Sequence, residues 1–110
     1  MADDRLPTSL LVDAVLTPLN GRGIFYYITQ KGNHASGLIL LKLNGLKGQV
    51  KLIGQQRNFM TDEIEWVPAI KEALVSEADA DQYIQRQCEF DPDLWVIEIE
   101  DEAMDNPFDL

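Results

Sequence analysis

A chain of 110 residues, of which 45% are apolar and 25% charged, has the size and composition of one folded domain, which excludes an intrinsically disordered protein. Its single cysteine excludes an intrachain disulfide framework and a zinc site built on several thiolates. The 19 acids against nine Lys and Arg give a formal charge of −10, which disfavours unaided binding to a phosphate backbone.

Two features of the sequence bear on where the protein works. Residues Met1–Arg5 lack the basic start and the long apolar core of a signal peptide. The longest strongly apolar stretch, Gly37–Leu41, is too short to cross a bilayer. We therefore expect a cytoplasmic protein that does not bind membranes.

Apolar residues recur at helical spacing between Leu10 and Leu19. Pro7 suits a first helical turn, either Asp4 or Thr8 can cap it, and Pro18 is expected to end it. The pattern predicts an amphipathic helix from about Thr8 to Thr17, with its apolar stripe facing the core.

Three strands are predicted next, over Ile24–Thr29, Gly37–Leu43 and Gln49–Ile53. The first is rich in aromatic and β-branched residues and has apolar residues on both faces, which predicts an interior strand. Turn residues separate the three strands, so the simplest arrangement is a meander of three antiparallel strands.

The next segment is predicted to be mainly irregular, with one short strand. Gln55–Glu63 is polar and predicted to be a loop. Ile64–Val67 alternates apolar and polar residues, and the following Pro68 places this fourth strand at an edge of the sheet.

A helix and a strand complete the predicted domain. Ser76 precedes Glu77 and Asp79 in a pattern typical of a capped helix, which is expected to run to about Glu89. Leu94–Glu100 has the clearest alternation in the chain and is predicted to be a strand. Trp95 shares the face of Ile97 and Ile99, so we expect it to be structural.

Together these elements predict an α+β fold, with a four- to five-stranded, mainly antiparallel sheet and two helices packed on it. We expect residues 1–101 to form one domain. Residues 102–110 are acidic, contain a proline and end the chain, so we predict a mobile tail.

One motif, Phe90–Asp101, resembles the final motif of the alphaproteobacterial family catalogued as domain of unknown function 1491. The opening Arg5–Leu10 and the Lys42–Asn44 segment before a glycine are also similar to that family. The resemblance implies a bacterial, stand-alone protein. It implies no activity, cofactor or catalytic residue.

Residue types that carry catalysis are present without the motifs that would make them a site. His34, the only histidine, lies in a predicted turn, and Cys88 lies where a helix would bury it. Glu98 and Glu100 share a strand face, where a solvated edge explains them better than an acid–base pair. We therefore assign no catalytic residue and no cofactor.

Asp91 and Asp93, close to Glu89, form an acidic candidate binding site. Carboxylate oxygens suit calcium or magnesium. The spacing lacks the glycine and the distal glutamate of a calcium-binding loop, and Asp91 before Pro92 is better explained as a turn-former. We predict no metal site here.

Charge is strongly separated along the chain. Between Ala14 and Thr61 there are six bases and no acid, whereas from Asp62 to Leu110 there are sixteen acids and two bases. The bases are Arg22, Lys31, Lys42, Lys47, Lys51 and Arg57. Either the two halves neutralise each other across the fold, or an acidic end meets a basic partner.

The function that these features favour is a non-enzymatic interaction or accessory module that acts through protein surfaces on an unknown protein partner. Homodimer formation through an exposed strand edge is a further hypothesis. The alternative is a binder of RNA or of a phosphorylated small molecule through the basic strands at residues 22–57, with Lys42, Lys47 and Lys51 as candidate binding residues. The net charge makes nucleic acid the less favoured partner. A small enzyme, with a site assembled from distant residues, is the third hypothesis.

Overall fold

The computed structural model describes residues 6–109, which form two α-helices and six β-strands. In chain order these are α1 (Thr8–Gly21), β1 (Phe25–Gln30), β2 (Ile39–Asn44), β3 (Gln49–Asn58), β4 (Glu63–Pro68), β5 (Val75–Ser76), α2 (Glu77–Phe90) and β6 (Trp95–Glu100). The predicted α+β class with two helices is confirmed. The two-residue β5 brings the strand count above the four or five predicted.

The strands form a single sheet in the order β1-β6-β2-β3-β4, with β5 paired to β3. Among the described strands only β2 and β6 pair in parallel, so the sheet is mainly antiparallel, as predicted. The predicted meander of the first three strands is wrong, because β6 lies between β1 and β2. Both β2 and β6 are largely buried on their two faces, and a central place in the sheet gives them the cover they need.

The position of β1 also differs from the prediction, since it lies at an edge and not in the interior. Tyr26 and Ile28 pack against the core, while Phe25 and Tyr27 remain exposed. A short strand with apolar residues on both faces is typical of a strand covered on both sides, which explains the error.

Helix α1 covers one face of the sheet. Its buried residues Val12, Leu16 and Leu19 pack on alternate residues of the central strands. Those strand residues are Ile39, Leu41, Leu43, Ile53, Trp95, Ile97 and Ile99. They form the main hydrophobic core, and the burial of Trp95 agrees with its predicted structural role.

Helix α1 begins at Thr8, as predicted, but its cap and its end differ from the prediction. At its start no side chain of residues 6–109 caps the helix, and the amides of Thr8 and Ser9 donate to the carbonyls of Ala35 and His34. Asp4, the other predicted cap, lies outside the described residues. At its end the helix continues past Pro18 to Gly21. Proline removes only one main-chain donor in this last turn, and the buried Leu19 holds the turn against the core.

Helix α2 covers the opposite face of the sheet, where Ala80, Tyr83 and Ile84 pack on β3 and on neighbouring strands. The predicted cap is confirmed, because the amide of Asp79 donates to Ser76 Oγ at 3.1 Å. The molecule therefore has three layers, with one helix on each face of a central sheet.

The hairpin of β3 and β4 is longer than predicted. Residues 55–58, which we predicted to be loop, continue β3 and pair with β4. A polar composition is compatible with a strand here because the hairpin extends to the margin of the sheet. The prediction that Ile64–Val67 forms an edge strand is confirmed.

The C-terminal segment, residues 102–109, makes contacts that we did not predict. Met104 and Phe108 pack against the main core, and the ring of Phe108 lies 5.5 Å from that of Trp66. These contacts differ from the expectation of a tail free of the domain. Leu110 lies outside the described residues.

We accordingly expect Phe108→Ala to lower the free energy of unfolding by about 1–2 kcal/mol, since a half-buried aromatic side chain loses part of the transfer energy of a fully buried one. Thermal denaturation followed by circular dichroism measures the change. Phe59→Ala removes the same ring from a site that is 93% exposed and should leave the melting temperature unchanged. Equal effects of the two substitutions would contradict the docking of Phe108.

Candidate interaction surface at the open edge of the sheet

The outer edge of β1 is open, and we call residues Phe25–Ile28 along it the β1 edge. Within residues 6–109, β6 is the only strand that pairs with β1. The pairing register shifts between Ile28 and Gln30, so the regular part of the strand is the β1 edge itself. Strands at an edge leave main-chain donors and acceptors available for another strand.

The side chains of the β1 edge alternate between the two faces of the sheet. Tyr26 lies opposite Ile99 and packs on the α1 side, whereas Phe25 and Tyr27 lie opposite Glu100 and Glu98 on the α2 side. Helix α2 packs over β3 and its neighbours and leaves these two rings uncovered. Phe25 is 68% exposed and Tyr27 is 49% exposed.

Two carboxylates lie beside these aromatic side chains on the α2 side. Glu98 and Glu100 stand opposite them on β6, and Glu77 and Asp81 of α2 contact Lys42, which lies next to Glu98 on β2. Within residues 6–109, the base in contact with three of these acids is Lys42. Lys42 Nζ is 2.8 Å from Asp81 Oδ1, 3.0 Å from Glu77 Oε1 and 3.6 Å from Glu98 Oε1.

The side chain of Lys42 is only 6% exposed, and it is the centre of this ion cluster. Burial lowers the pKa of Lys42, but the hydrogen bonds to Asp81 and Glu77 and the charge of Glu98 outweigh burial, so the pKa is raised above its usual 10.5. Asn44 extends the cluster by donating to Glu98 Oε2 at 3.1 Å. Lys42 thereby ties α2 to β2 and β6.

We expect Lys42→Met, which keeps the aliphatic stem and removes the charge, to lower the free energy of unfolding at neutral pH by about 1–2 kcal/mol. This is less than the loss of a fully buried ion pair would cost, because Glu77 and Asp81 are half-exposed and remain hydrated. The stabilisation depends on protonated Lys42. With its folded-state pKa above the unfolded value, it is complete below pH 10.5 and is lost as the pH rises through the folded-state pKa.

Urea denaturation of both proteins at several pH values checks this expectation. The difference between wild type and Lys42→Met should be constant through neutral pH and should shrink in strongly alkaline solution. A difference that grows with pH would contradict a charge-based role for Lys42.

The three predicted basic binding residues do not form one surface. Lys42 pairs in register with Leu52 and faces α2, whereas Lys51 pairs with the buried Leu43 and belongs to the α1 side. Lys47 is exposed in the turn between β2 and β3. Side chains alternate between the two faces of a strand, so Lys51 and Lys42 lie on opposite faces of the sheet. Lys42 is also paired with acidic side chains.

Asp91 and Asp93 are brought together by a turn after α2. Asp91 Oδ1 accepts a hydrogen bond of 3.1 Å from the amide of Asp93, and the amide of Leu94 donates to the carbonyl of Asp91. The carbonyl of Asp93 accepts from the amide of Asn33. This arrangement agrees with a turn-forming role for Asp91. Across residues 6–109 no three acids, histidines or cysteines are grouped as ligands for a metal ion.

Cys88 lies on α2, where it packs against the cluster of Leu40, Leu94 and Val96. Burial raises the pKa of its thiol, and the charge of Asp91 raises it further. A thiol whose pKa is raised is a weak nucleophile at neutral pH. The predicted packing role of Cys88 is consistent with this environment.

Two other surface features stand out in the described part of the chain. A cleft of about 420 Å³ lies between α1 and the C-terminal segment, with apolar walls that include Val15, Pro18 and Ile99 and with Arg22 at its margin. At the tip of the β3–β4 hairpin, Phe59 and Met60 are each 93% exposed. The cleft could not be predicted from the sequence, since it depends on which distant segments meet in the fold. In residues 6–109 no helix has the length and apolar character needed to span a bilayer.

The fold is similar to that of solved structures from two alphaproteobacteria. A crystal structure of a DUF1491 family protein from Caulobacter crescentus has 28% identity and a TM-score of 0.79, with 94% of each chain covered. An NMR structure of a DUF1491 family protein from the same species has the same identity and TM-score, with 93% of this chain and 91% of that chain covered. The solution structure of protein Atu0922 from A. tumefaciens has 26% identity and a TM-score of 0.70, with 87% and 86% covered. No curated protein matches the chain.

The sequence itself matches a family model over residues 6–109, which is almost its whole length. The model is described as "Protein of unknown function (DUF1491)". Because the match covers residues 6–109, it confirms the family resemblance that the Phe90–Asp101 motif, the opening segment and the Lys42–Asn44 segment indicate. The chain belongs to the DUF1491 family.

Proposed function

We propose that this protein is a cytoplasmic interaction module that accepts an extended segment of a partner protein as an additional strand at the β1 edge. The observation that carries the proposal is an open strand edge with uncovered aromatic side chains and no charge. Strand addition is a common mode of peptide recognition, in which main-chain hydrogen bonds supply affinity and alternate side chains supply specificity.

The two outer strands of the sheet differ in a way that supports this proposal. The opposite edge strand, β4, contains Glu63, Glu65 and Pro68, which are residues that prevent unwanted strand pairing. Strand β1 has the sequence FYYITQ, with no charged residue and no proline. Its bulge near Thr29 limits pairing but leaves four regular residues open. One edge of the sheet is therefore protected against strand pairing and the other is not, which supports a binding role for the β1 edge.

A second copy of the chain is the other occupant to consider, since homodimer formation was one of our hypotheses. Each copy carries a formal charge of −10, and the carboxylates near the β1 edge would face their counterparts across a two-fold axis. Charge therefore favours a different protein over self-association.

Amide hydrogen exchange of the β1 edge tests the proposal directly. Short peptides with alternating sequences, one of lysine and valine and one of threonine and valine, are titrated into the isotope-labelled full chain. At least one peptide should slow exchange at residues 25–28. Its twin with N-methyl groups on alternate residues, which keeps the side chains but blocks one hydrogen-bonding edge, should not.

The opposite results would overturn strand addition. Exchange at residues 25–28 that is unchanged by every peptide, or protection that is equal with the N-methylated twin, would show that the edge does not accept a strand. Protection of these amides that depends on protein concentration without any peptide would identify a second copy as the occupant.

A further inference from the structure

We infer that the strand that adds to the β1 edge carries lysine or arginine at alternate positions, held over Phe25 and Tyr27 and attracted by Glu98 and Glu100. The inference rests on the proposed strand addition and names the chemistry of the partner. Its evidence is the placement of aromatic rings and carboxylates on one side of this edge and of apolar groups on the other.

Strand geometry sets which side chains of the added strand meet which groups. An added strand would lie about 4.8 Å from β1 and about 10 Å from β6, with its alternate side chains on the α2 side. These side chains would pass over the rings of Phe25 and Tyr27, which α2 leaves uncovered. Their ends would approach Glu98 and Glu100, which lie directly opposite those rings on β6.

The charges on this side select a cation. Of the groups described there, Glu77, Asp81, Glu98 and Glu100 are acids, and Lys42 is a base that already contacts three of them. The region keeps an excess of negative charge after Lys42 is counted. A cation placed over an aromatic face gains from the ring as well as from the carboxylates, which an anion or a neutral side chain cannot do.

The other side of the added strand meets a different surface. Tyr26 and Ile28 face α1 and are part of the apolar packing there. Side chains of the partner that point to this side would be apolar. The structure thus points to a partner segment in which cationic and apolar residues alternate. The β1 edge of a second copy has no cationic residue and does not fit this pattern.

Fluorescence anisotropy with three labelled peptides tests the inference on the full-length protein. The peptides alternate valine with lysine, with threonine or with glutamate. The lysine peptide should bind at least about tenfold more tightly than the threonine peptide at low salt and should lose most of this advantage at high salt. The glutamate peptide should bind weakest.

Substitutions at the β1 edge and on β6 test which residues cause the preference for the lysine peptide. Tyr27→Ser and Glu100→Gln should each weaken binding of the lysine peptide by about two- to fivefold, as expected for one exposed cation–π or ionic contact. The matched controls are Phe59→Ser and Glu63→Gln, which remove an exposed aromatic ring and a glutamate charge at the far hairpin and should leave binding unchanged.

Failure of the inference and failure of strand addition give different results. Equal affinity for the lysine and threonine peptides, with residues 25–28 protected by both, would overturn the cationic partner and leave strand addition intact. Lysine-peptide binding that responds equally to Glu100→Gln and Glu63→Gln would also overturn the inference, because the cation would be attracted by overall charge alone. Lysine-peptide binding without protection of the β1 edge would overturn both.

Discussion

Replacement of Trp95 by alanine is expected to lower the free energy of unfolding by about 3–5 kcal/mol, the range for truncation of a buried aromatic side chain. Trp95 is 4% exposed and belongs to the main core under α1. Its indole Nε1 also donates to the carbonyl of Asn33 at 2.8 Å, which fixes the loop between β1 and β2 on the start of β6. Both the core and this loop lose a contact.

The melting temperature measures the loss, which should amount to about 10–20 °C for a domain of this size. Trp95→Phe keeps a ring in the core and removes only the indole donor, so it should cost about 1–3 kcal/mol. Trp66→Ala serves as a comparison at a half-buried site and should cost less than Trp95→Ala. A Trp95→Ala protein as stable as wild type would show that the indole is not part of the core.

The second large effect is expected at Gly32, which the loop between β1 and β2 places against the turn before β6. A Cβ added at Gly32 would overlap the carbonyl oxygen of Asp93 and lie 2.7 Å from the carbonyl carbon of Leu94. Main-chain atoms cannot turn aside as a flexible side chain can. The same Asp93 carbonyl accepts from the amide of Asn33, so its displacement would break a hydrogen bond.

We expect Gly32→Ala to cost about 3 kcal/mol, the upper part of the range for overpacking, and to lower the midpoint of urea denaturation accordingly. Gly21→Ala is the matched control. A Cβ at Gly21 meets nothing within 4 Å, and alanine is the better helix former, so this change should be neutral or stabilising by up to about 1 kcal/mol. Similar behaviour of the two variants would mean that the loop does not lie this close to Asp93.

Local patterns made the second half of the fold more predictable than the first. Ser76 followed by acids indicates a helix start because capping and the helix dipole act within one turn, and α2 begins there. The alternation in β6 and the proline at the end of β4 carry similarly local information, and both strands were predicted.

Local sequence patterns could not predict the order of the strands in the sheet. Whether FYYITQ lies at the edge or in the interior depends on which strand arrives beside it, and β6 pairs with it from the other end of the chain. Contacts between distant segments also account for Met104 and Phe108, which pack against the main core, Met104 next to Gly45 and Phe108 next to Trp66. Apolar residues in an acidic segment do not reveal such contacts beforehand.

The candidate site was predictable only in part. An acidic region that attracts a basic protein was among the hypotheses, and Glu98 and Glu100 were identified as neighbours on one strand face. The role now proposed for Phe25 and Tyr27 could not be predicted, since an uncharged aromatic strand is equally typical of a buried position. The sequence predicts Lys42 as part of a basic surface, because it does not show that Glu77 and Asp81 lie next to this lysine.

The central place of β6 has a consequence during synthesis on the ribosome. Strands β1 and β2 are translated early, yet each needs β6 as its neighbour, and the hydrogen bond from Thr29 Oγ1 to the Val96 carbonyl already spans 67 positions. Until residues 95–100 emerge, β1 lacks its partner strand and β2 has one unpaired edge, and such edges promote aggregation. A chain truncated by premature termination before Trp95 would keep these edges exposed. We expect such fragments to be removed by proteases and not to accumulate as partly folded domains.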